Sequence, residues 1–189
     1  ESGLRRLTVG IESGSPRMRQ RLGKNGTVED IAAMVARLAP FGIIFFGSFI
    51  TNLPGETIED LRDSVRLIER LQRLNPHFRN SPFYSYTPFP GTPMFDDALA
   101  DGFVPPVSLE GWAQLSYEGN TYTSRGAPPA AFSAGLYLTS LLNDAKIDDY
   151  SASIPLRALA RLYRPIARLR MRRLWFGLMP ERYAARFWL

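Results

Sequence analysis

Ile43-Ile44-Phe45-Phe46-Gly47-Ser48-Phe49-Ile50-Thr51-Asn52-Leu53-Pro54-Gly55-Glu56-Thr57-Ile58-Glu59-Asp60 decides how this chain folds. Its first eight residues are almost wholly apolar, the pattern of a strand covered on both faces in a parallel sheet. Thr51 to Glu56 reads as a loop, with proline and glycine at its centre. Thr57 and the two acids that follow it read as a helix start. The hydroxyl caps a free amide of the first turn, and the carboxylates sit at the positive end of the helix. Leu61, Val65, Ile68 and Leu71 then recur at helical spacing.

The same grammar appears on both sides. Upstream, Leu7-Thr8-Val9-Gly10-Ile11 reads as a short strand and Glu12-Ser13-Gly14-Ser15 as a turn. Pro16 opens a helix to about Leu22. Thr27-Val28-Glu29-Asp30 starts another, with Ile31, Met34, Val35 and Leu38 on one face; Pro40 and Gly42 end it. Downstream, Asn80 to Thr87 reads as a third strand, followed by the stiff Pro88-Phe89-Pro90-Gly91-Thr92-Pro93 and a short helix from about Met94 to Leu99. Strands alternating with helices make a parallel sheet with right-handed crossovers. In such sheets ligands bind at the carboxyl ends of the strands. Glu12-Ser13, Thr51-Asn52 and Thr87-Pro88 are therefore expected to converge on one rim.

After Gly102 the pattern changes. Pro105-Pro106 breaks the chain, and Ser108 to Leu115 reads as a short helix carrying Trp112. Ser116 to Ser124 is polar and aromatic, and Pro129 to Asp144 reads as a helix. Pro155 to Met171 reads as a helix broken at Pro165. Leu174 to Leu189 is aromatic and basic.

Composition removes several functions. The 189 residues contain no cysteine and one histidine, His77, read as a surface-loop residue before the third strand. Thiolate metal sites, disulfides and a histidine-rich centre are excluded within these residues. No apolar run reaches the roughly 20 residues that span a bilayer, and the opening residues Glu1 to Arg6 are not expected to act as a signal peptide. Cytoplasmic is the expected location. The net charge of +5 is uneven: residues 155–189 hold nine arginines and one acid, Glu181, leaving the preceding 154 residues at −3. The first residue is Glu1, and a strand begins almost at once. A parallel sheet needs strands before it, so a fragment of a longer protein is expected.

Three segments in register carry a resemblance: Gly10-Ile11-Glu12-Ser13-Gly14-Ser15, Phe49-Ile50-Thr51-Asn52-Leu53-Pro54-Gly55-Glu56-Thr57 and Tyr86-Thr87-Pro88-Phe89-Pro90-Gly91-Thr92-Pro93. Their order resembles the second half of radical S-adenosylmethionine (SAM) enzymes. The group most like it carries a cobalamin-binding domain and includes magnesium-protoporphyrin ester cyclase relatives and methyltransferases. The resemblance covers roughly residues 4–100.

It implies an α/β fold: residues 1–100 as the C-terminal half of a partial (β/α)6 TIM-like barrel with parallel strands, and residues 101–189 as a mainly helical, basic extension. It also implies SAM across the strand ends. Glu12 and Ser13 then face ribose hydroxyls or the methionine amine, and Ile50 packs on adenine. Asn52 stands where relatives usually have glycine, narrowing the space beside the nucleotide. Glu56 is expected to bond loop amides. The alternative for Glu12 is a salt bridge to Arg5 or Lys24, and for Ile50 plain core.

A [4Fe–4S] cluster would cleave SAM to a 5′-deoxyadenosyl radical. Its three cysteines are not in this chain, so these residues alone are expected to be inactive. Cobalamin would bind to a domain upstream. The substrate is expected to be a small molecule, lipid or pigment, and missing N-terminal domains are the expected partners of the tail. The tail's arginines, interleaved with Leu169, Leu174, Trp175 and Phe176, suit an anionic membrane surface. A tRNA methylthiotransferase is the rival enzyme. It fits the basic tail, but those enzymes tend to have Gln-Ser-Gly-Ser at 12–15 and to end in a small β-barrel, so nucleic acid is not the favoured partner.

Overall fold

The structure is a computed structural model that describes residues 3–115, 122–125, 135–137, 139 and 154–176, with backbone only over 154–160. Three strands form one parallel sheet in the order β1-β2-β3: β1 (Arg6–Glu12), β2 (Ile44–Thr51) and β3 (Phe78–Ser85). Between them lie α1 (Pro16–Arg21), α2 (Val28–Leu38) with a 3-10 turn (Ala39–Phe41), and α3 (Ile58–Leu74). α4 (Phe95–Ala100), α5 (Leu109–Gln114) and α6 (Ile154–Arg173) follow.

The repeated threonine starts act as expected, and more fully. Thr27 accepts the Asp30 amide and Thr57 the Asp60 amide, while each aspartate reaches back to its threonine's amide, so both helices open with a capping box. Ser15 caps α1, with Pro16 in its first turn. At the far end of α3, Asn75 donates from Nδ2 to the Val35 carbonyl at 3.0 Å, fastening the end of α3 to α2.

Alternation along β2 separates the two faces of the sheet. Phe45, Phe49 and Thr51 are buried, whereas Phe46, Ser48 and Ile50 are half-buried on the opposite side. The buried side meets the apolar stripes of α2 and α3: Phe45 and Phe49 join Ile31, Val35, Leu61, Val65, Ile68 and Leu71 in the main core. Each such side chain contributes about 1.5–3 kcal/mol when fully buried. At Gly47 a Cβ would lie 2.7 Å from Ile11 and 3.1 Å from the Phe78 ring, so the strand passes too close to its neighbours for a side chain.

β3 begins two residues earlier than the pattern predicts, at Phe78. It also carries Pro82, which lacks an amide for the ladder. The register of β2 and β3 shifts between Gly47 and Phe49, and there the Phe49 amide donates to Ser81 Oγ at 3.0 Å. The serine hydroxyl substitutes for a main-chain acceptor beside the proline.

The helix expected to break at Pro165 is continuous from Ile154 to Arg173. Packing holds it through the proline. Ala167 and Met171 are buried, Met171, Leu174 and Phe176 join the main core, and Arg172 pairs with Glu69 of α3. The helix expected over 129–144 lies mostly outside the described residues; residues 135–137 and 139 are helical. The stretch beyond Phe176 lies outside them too. Among the described residues no helix is long and apolar enough to cross a membrane.

Candidate functional site

The carboxyl ends of the three strands lie side by side, with Glu12 paired to Phe49, Ile50 to Tyr84 and Thr51 to Ser85. Two adjacent strands end alike. Glu12 has φ +67° and Asn52 φ +64°, both in the left-handed region that non-glycine residues seldom enter. Asparagine tolerates this conformation; a glutamate held there is strained, and such strain concentrates where ligands bind.

Glu12 folds back over its own strand. A Cβ on Gly10 would come within 2.1 Å of Glu12 Oε1, so the glycine leaves the space that the carboxylate occupies. Lys24 donates to Glu12 Oε1 at 3.3 Å and to the Gly10 carbonyl at 3.2 Å. This is one of the two salt bridges that the sequence offered, and it uses one oxygen. Glu12 Oε2 makes no bond among the described residues. Beneath it Arg19, 5% exposed, donates to the Ile11 carbonyl at 2.7 Å. Burial lowers the Arg19 pKa, opposed by the nearby charge of Glu12.

Ser13 points elsewhere. Its side chain is fully buried, with Oγ 3.3 Å from Ser64 Oγ on α3 and accepting the Ser15 amide at 3.1 Å. Gly14 donates to the same Ser64 hydroxyl at 2.9 Å, and a Cβ on it would meet the Asp63 carbonyl at 2.5 Å. Ser15 Oγ donates to Asp60 Oδ1 at 2.6 Å, and Asp60 also receives Arg17 and Thr57. Burial works to raise the Asp60 pKa, but the bonds from Ser15, Thr57 and Arg17 outweigh it and hold the carboxyl at about 2. The turn after β1 is thus bolted to the first turns of α3, which fixes where Glu12 stands.

Ile50 is half-buried on the open face of the sheet, packed against a second cluster of Met18, Leu53, Tyr86, Met94, Ala98 and Tyr122. Asn52 is 7% exposed, and its amide is spent on the chain itself. Nδ2 donates to Ser85 Oγ at 3.1 Å and to the Tyr122 carbonyl at 2.8 Å, while Oδ1 accepts the Ser124 amide at 2.9 Å. Residues 122–124 are therefore held directly over the end of β2. Sequence reasoning missed this arrangement, because nothing in a polar stretch 70 residues away marks it as the partner of a strand end.

Glu56 bonds as expected: Oε2 accepts the Thr51 hydroxyl at 2.9 Å and the Asn52 amide at 2.8 Å. Its Oε1 is enclosed and has no partner among the described residues. Burial pushes its pKa up to about 7, against the downward pull of the Thr51 hydroxyl and the Asn52 and Leu53 amides.

With this geometry in hand, residues 1–68 match the Radical SAM superfamily. The findings support that superfamily. An uncharacterized methyltransferase of Pyrococcus horikoshii is 31% identical over 104 residues, covering 55% of this chain and 22% of the relative. A tRNA-2-methylthio-N(6)-dimethylallyladenosine synthase of Ehrlichia canis is 31% identical over 85 residues, 44% of this chain and 18% of the relative. The corresponding synthase of Chromohalobacter salexigens is 34% identical over 89 residues, 46% of this chain and 19% of its own length. The chain spans about a fifth of the length of the curated relatives it matches. Radical SAM enzymes use SAM and a [4Fe–4S] cluster. This chain has no cysteine, and among the described residues no group of three potential ligands could hold a metal, so nothing described here fits the cluster.

Proposed function

We propose that this chain forms the SAM-binding rim of a radical SAM enzyme. The observation that carries the reading is Glu12: a strained, left-handed carboxylate at the end of β1, seated over Gly10, with Oε2 unbonded among the described residues and within the matched segment. A carboxylate acceptor suits ribose hydroxyls and the methionine ammonium alike, since charge-assisted bonds are the strong ones. Ile50, half-buried on the open face, offers an apolar surface for adenine. Asn52 and Ser13 act behind this surface. Asn52 holds residues 122–124 against the strand end, and Ser13 fixes the turn on α3.

Bound SAM supplies the reactive carbon–sulfur bond of the superfamily's chemistry, and the reductant's cluster would require cysteines from outside these 189 residues. The chain's own residues bind and orient the nucleotide and close the rim. Among the branches we favour a methyltransferase, in line with the name of the Pyrococcus relative, and of the cobalamin-dependent kind on the resemblance of the three strand-end segments alone. A tRNA-modifying enzyme is the second reading, supported by the names of the Ehrlichia and Chromohalobacter relatives and by the arginines of α6.

The test is SAM titration by calorimetry on the intact protein and its Glu12→Ala variant. About tenfold weaker binding in the variant is expected, from loss of a charge-assisted bond. Equal affinities would remove Glu12 from the site.

A further inference from the structure

Asn52 is not the only residue that holds the segment over β2. From the other side Asp101 Oδ2 accepts the Tyr122 hydroxyl at 3.2 Å, the Ser124 hydroxyl at 3.1 Å and the Arg125 amide at 3.2 Å. Residues 122–125 are thus clamped between a strand end and the residue that caps α4. Behind that clamp lies a cavity of about 560 Å3 with Asp101, Phe103, Val104, Leu115 and Tyr122 in its walls. The volume falls in the range of small-molecule sites, about 300–1,000 Å3.

We infer that this cavity is a ligand subsite of the rim and takes a flat aromatic molecule bearing a protonated amine. The inference rests on the SAM-binding reading for its role, and on the following chemistry for its ligand. The walls set the apolar side chains of Phe103, Val104, Pro106 and Leu115 beside polar groups, and Phe103 is the hub of an aromatic set. Its ring meets Tyr122 edge-on at 5.7 Å between centroids, Phe95 at 6.3 Å and Trp112 at 6.3 Å. Such geometry favours a further ring packed against it.

Among the described residues that line the cavity, Asp101 alone is charged, and it is negative. All three of its bonds fall on Oδ2; Oδ1 has none among the described residues. A carboxylate oxygen with no bond among the described residues, set beside these rings, selects a donor, above all a cationic one, and repels an anion. Burial pushes the Tyr122 phenol up to about 12, so it keeps its proton and remains a donor to Asp101 at neutral pH. Because Tyr122 also belongs to the cluster on which Ile50 packs, a ligand in this cavity lies one side chain away from the proposed nucleotide surface.

The experiment is calorimetric titration of the intact protein with tryptamine, indole and indole-3-acetate, with SAM titrated in parallel. Tryptamine is expected to bind at least about tenfold more tightly than indole, and indole-3-acetate not to saturate. Asp101→Asn should bring tryptamine to the level of indole. Val104→Arg places a bulky cation at a position 83% exposed at the cavity wall, so it should weaken tryptamine and indole without disturbing the fold or SAM binding. Equal affinity for the ammonium and carboxylate probes overturns the inference, as does failure of every probe while SAM binds. If the probes bind in the expected order and SAM does not bind, the cavity stands as a site and the SAM reading falls.

Discussion

Glu56 allows a prediction that runs against the usual effect of removing a buried hydrogen-bonding side chain. Its carboxyl sits at about 7 in the folded chain against an ordinary 4.5, because burial opposes ionisation more strongly than the Thr51 hydroxyl and the Asn52 and Leu53 amides favour it. A group whose folded pKa is raised contributes stability that is complete below its unfolded value and is lost as pH rises through the folded value. The window is therefore about pH 4.5 to 7, and the loss across it is about 3 kcal/mol at 1.36 kcal/mol per pH unit. Glu56→Gln has no proton to lose. Its carbonyl takes the place of Oε2 and keeps the Thr51 and Asn52 donors, while its NH2 takes the enclosed place of Oε1, where no described residue offers an acceptor. That orphaned NH2 costs about 1–3 kcal/mol at every pH. At pH 5 the variant is thus the less stable. Between pH 5 and 8.5 the wild type loses about 3 kcal/mol relative to it, and the gap closes or reverses. Urea unfolding of both proteins at the two pH values measures this directly. Parallel stabilities across the range would show that Glu56 ionises freely and that the loop after β2 is wetter than its geometry implies.

Asp60 gives the opposite sign. Its pKa is depressed to about 2 from 3.8, so its contribution is present above pH 3.8 and disappears as pH falls through 2. Asp60→Asn should therefore cost about 2 kcal/mol at pH 7 and progressively less below pH 3.5, read by thermal unfolding. Gly14→Ala brings a Cβ to 2.5 Å from the Asp63 carbonyl, a backbone contact that cannot swing aside; a loss of about 1–3 kcal/mol is expected, together with weaker SAM binding as the β1 turn lifts from α3. Asn52→Gly suits the left-handed backbone but removes three side-chain bonds. Global stability should change by less than about 2 kcal/mol, while amide hydrogen exchange of residues 122–125 accelerates at least about tenfold. Unchanged exchange there would mean that Asp101 alone holds the segment.

Local rules made the βα units legible. Threonine followed by acids marked both capped helices, and the apolar run Ile43 to Ile50 marked the central strand. Those signals act within a few residues of each other, so sequence displays them. The errors occurred where distant packing overrides local preference. Pro165 ends a helix on local grounds alone, yet Met171, Leu174 and Phe176 in the main core and the Arg172–Glu69 pair keep α6 continuous past it. Pro82 likewise argues against a strand, yet β3 runs through it with a register shift at which Ser81 Oγ accepts the Phe49 amide.

The candidate site divides along the same line. Glu12 and Asn52 were picked out together from strand-end position and resemblance, and the structure does bring both to the same rim with the same left-handed backbone. What differs is where each side chain spends its bonding capacity. Asn52 satisfies three bonds within the chain, leaving a ligand nothing to compete for without breaking the clamp on residues 122–124. Glu12 satisfies one oxygen through Lys24 and leaves the other unbonded among the described residues. A glycine at position 52 would turn the chain equally well, so the asparagine's side chain serves as the fastener of the later segment. On the proposed reading the rim is assembled from pieces 70 residues apart: β1 contributes the acceptor, β2 the apolar surface and the latch, and residues 101–104, 115 and 122–125 the outer wall. In the proposed site, nucleotide binding and the choice of second ligand fall to different parts of the chain, so changes in the outer wall should alter what is bound there while the Glu12 end of the site stays in place.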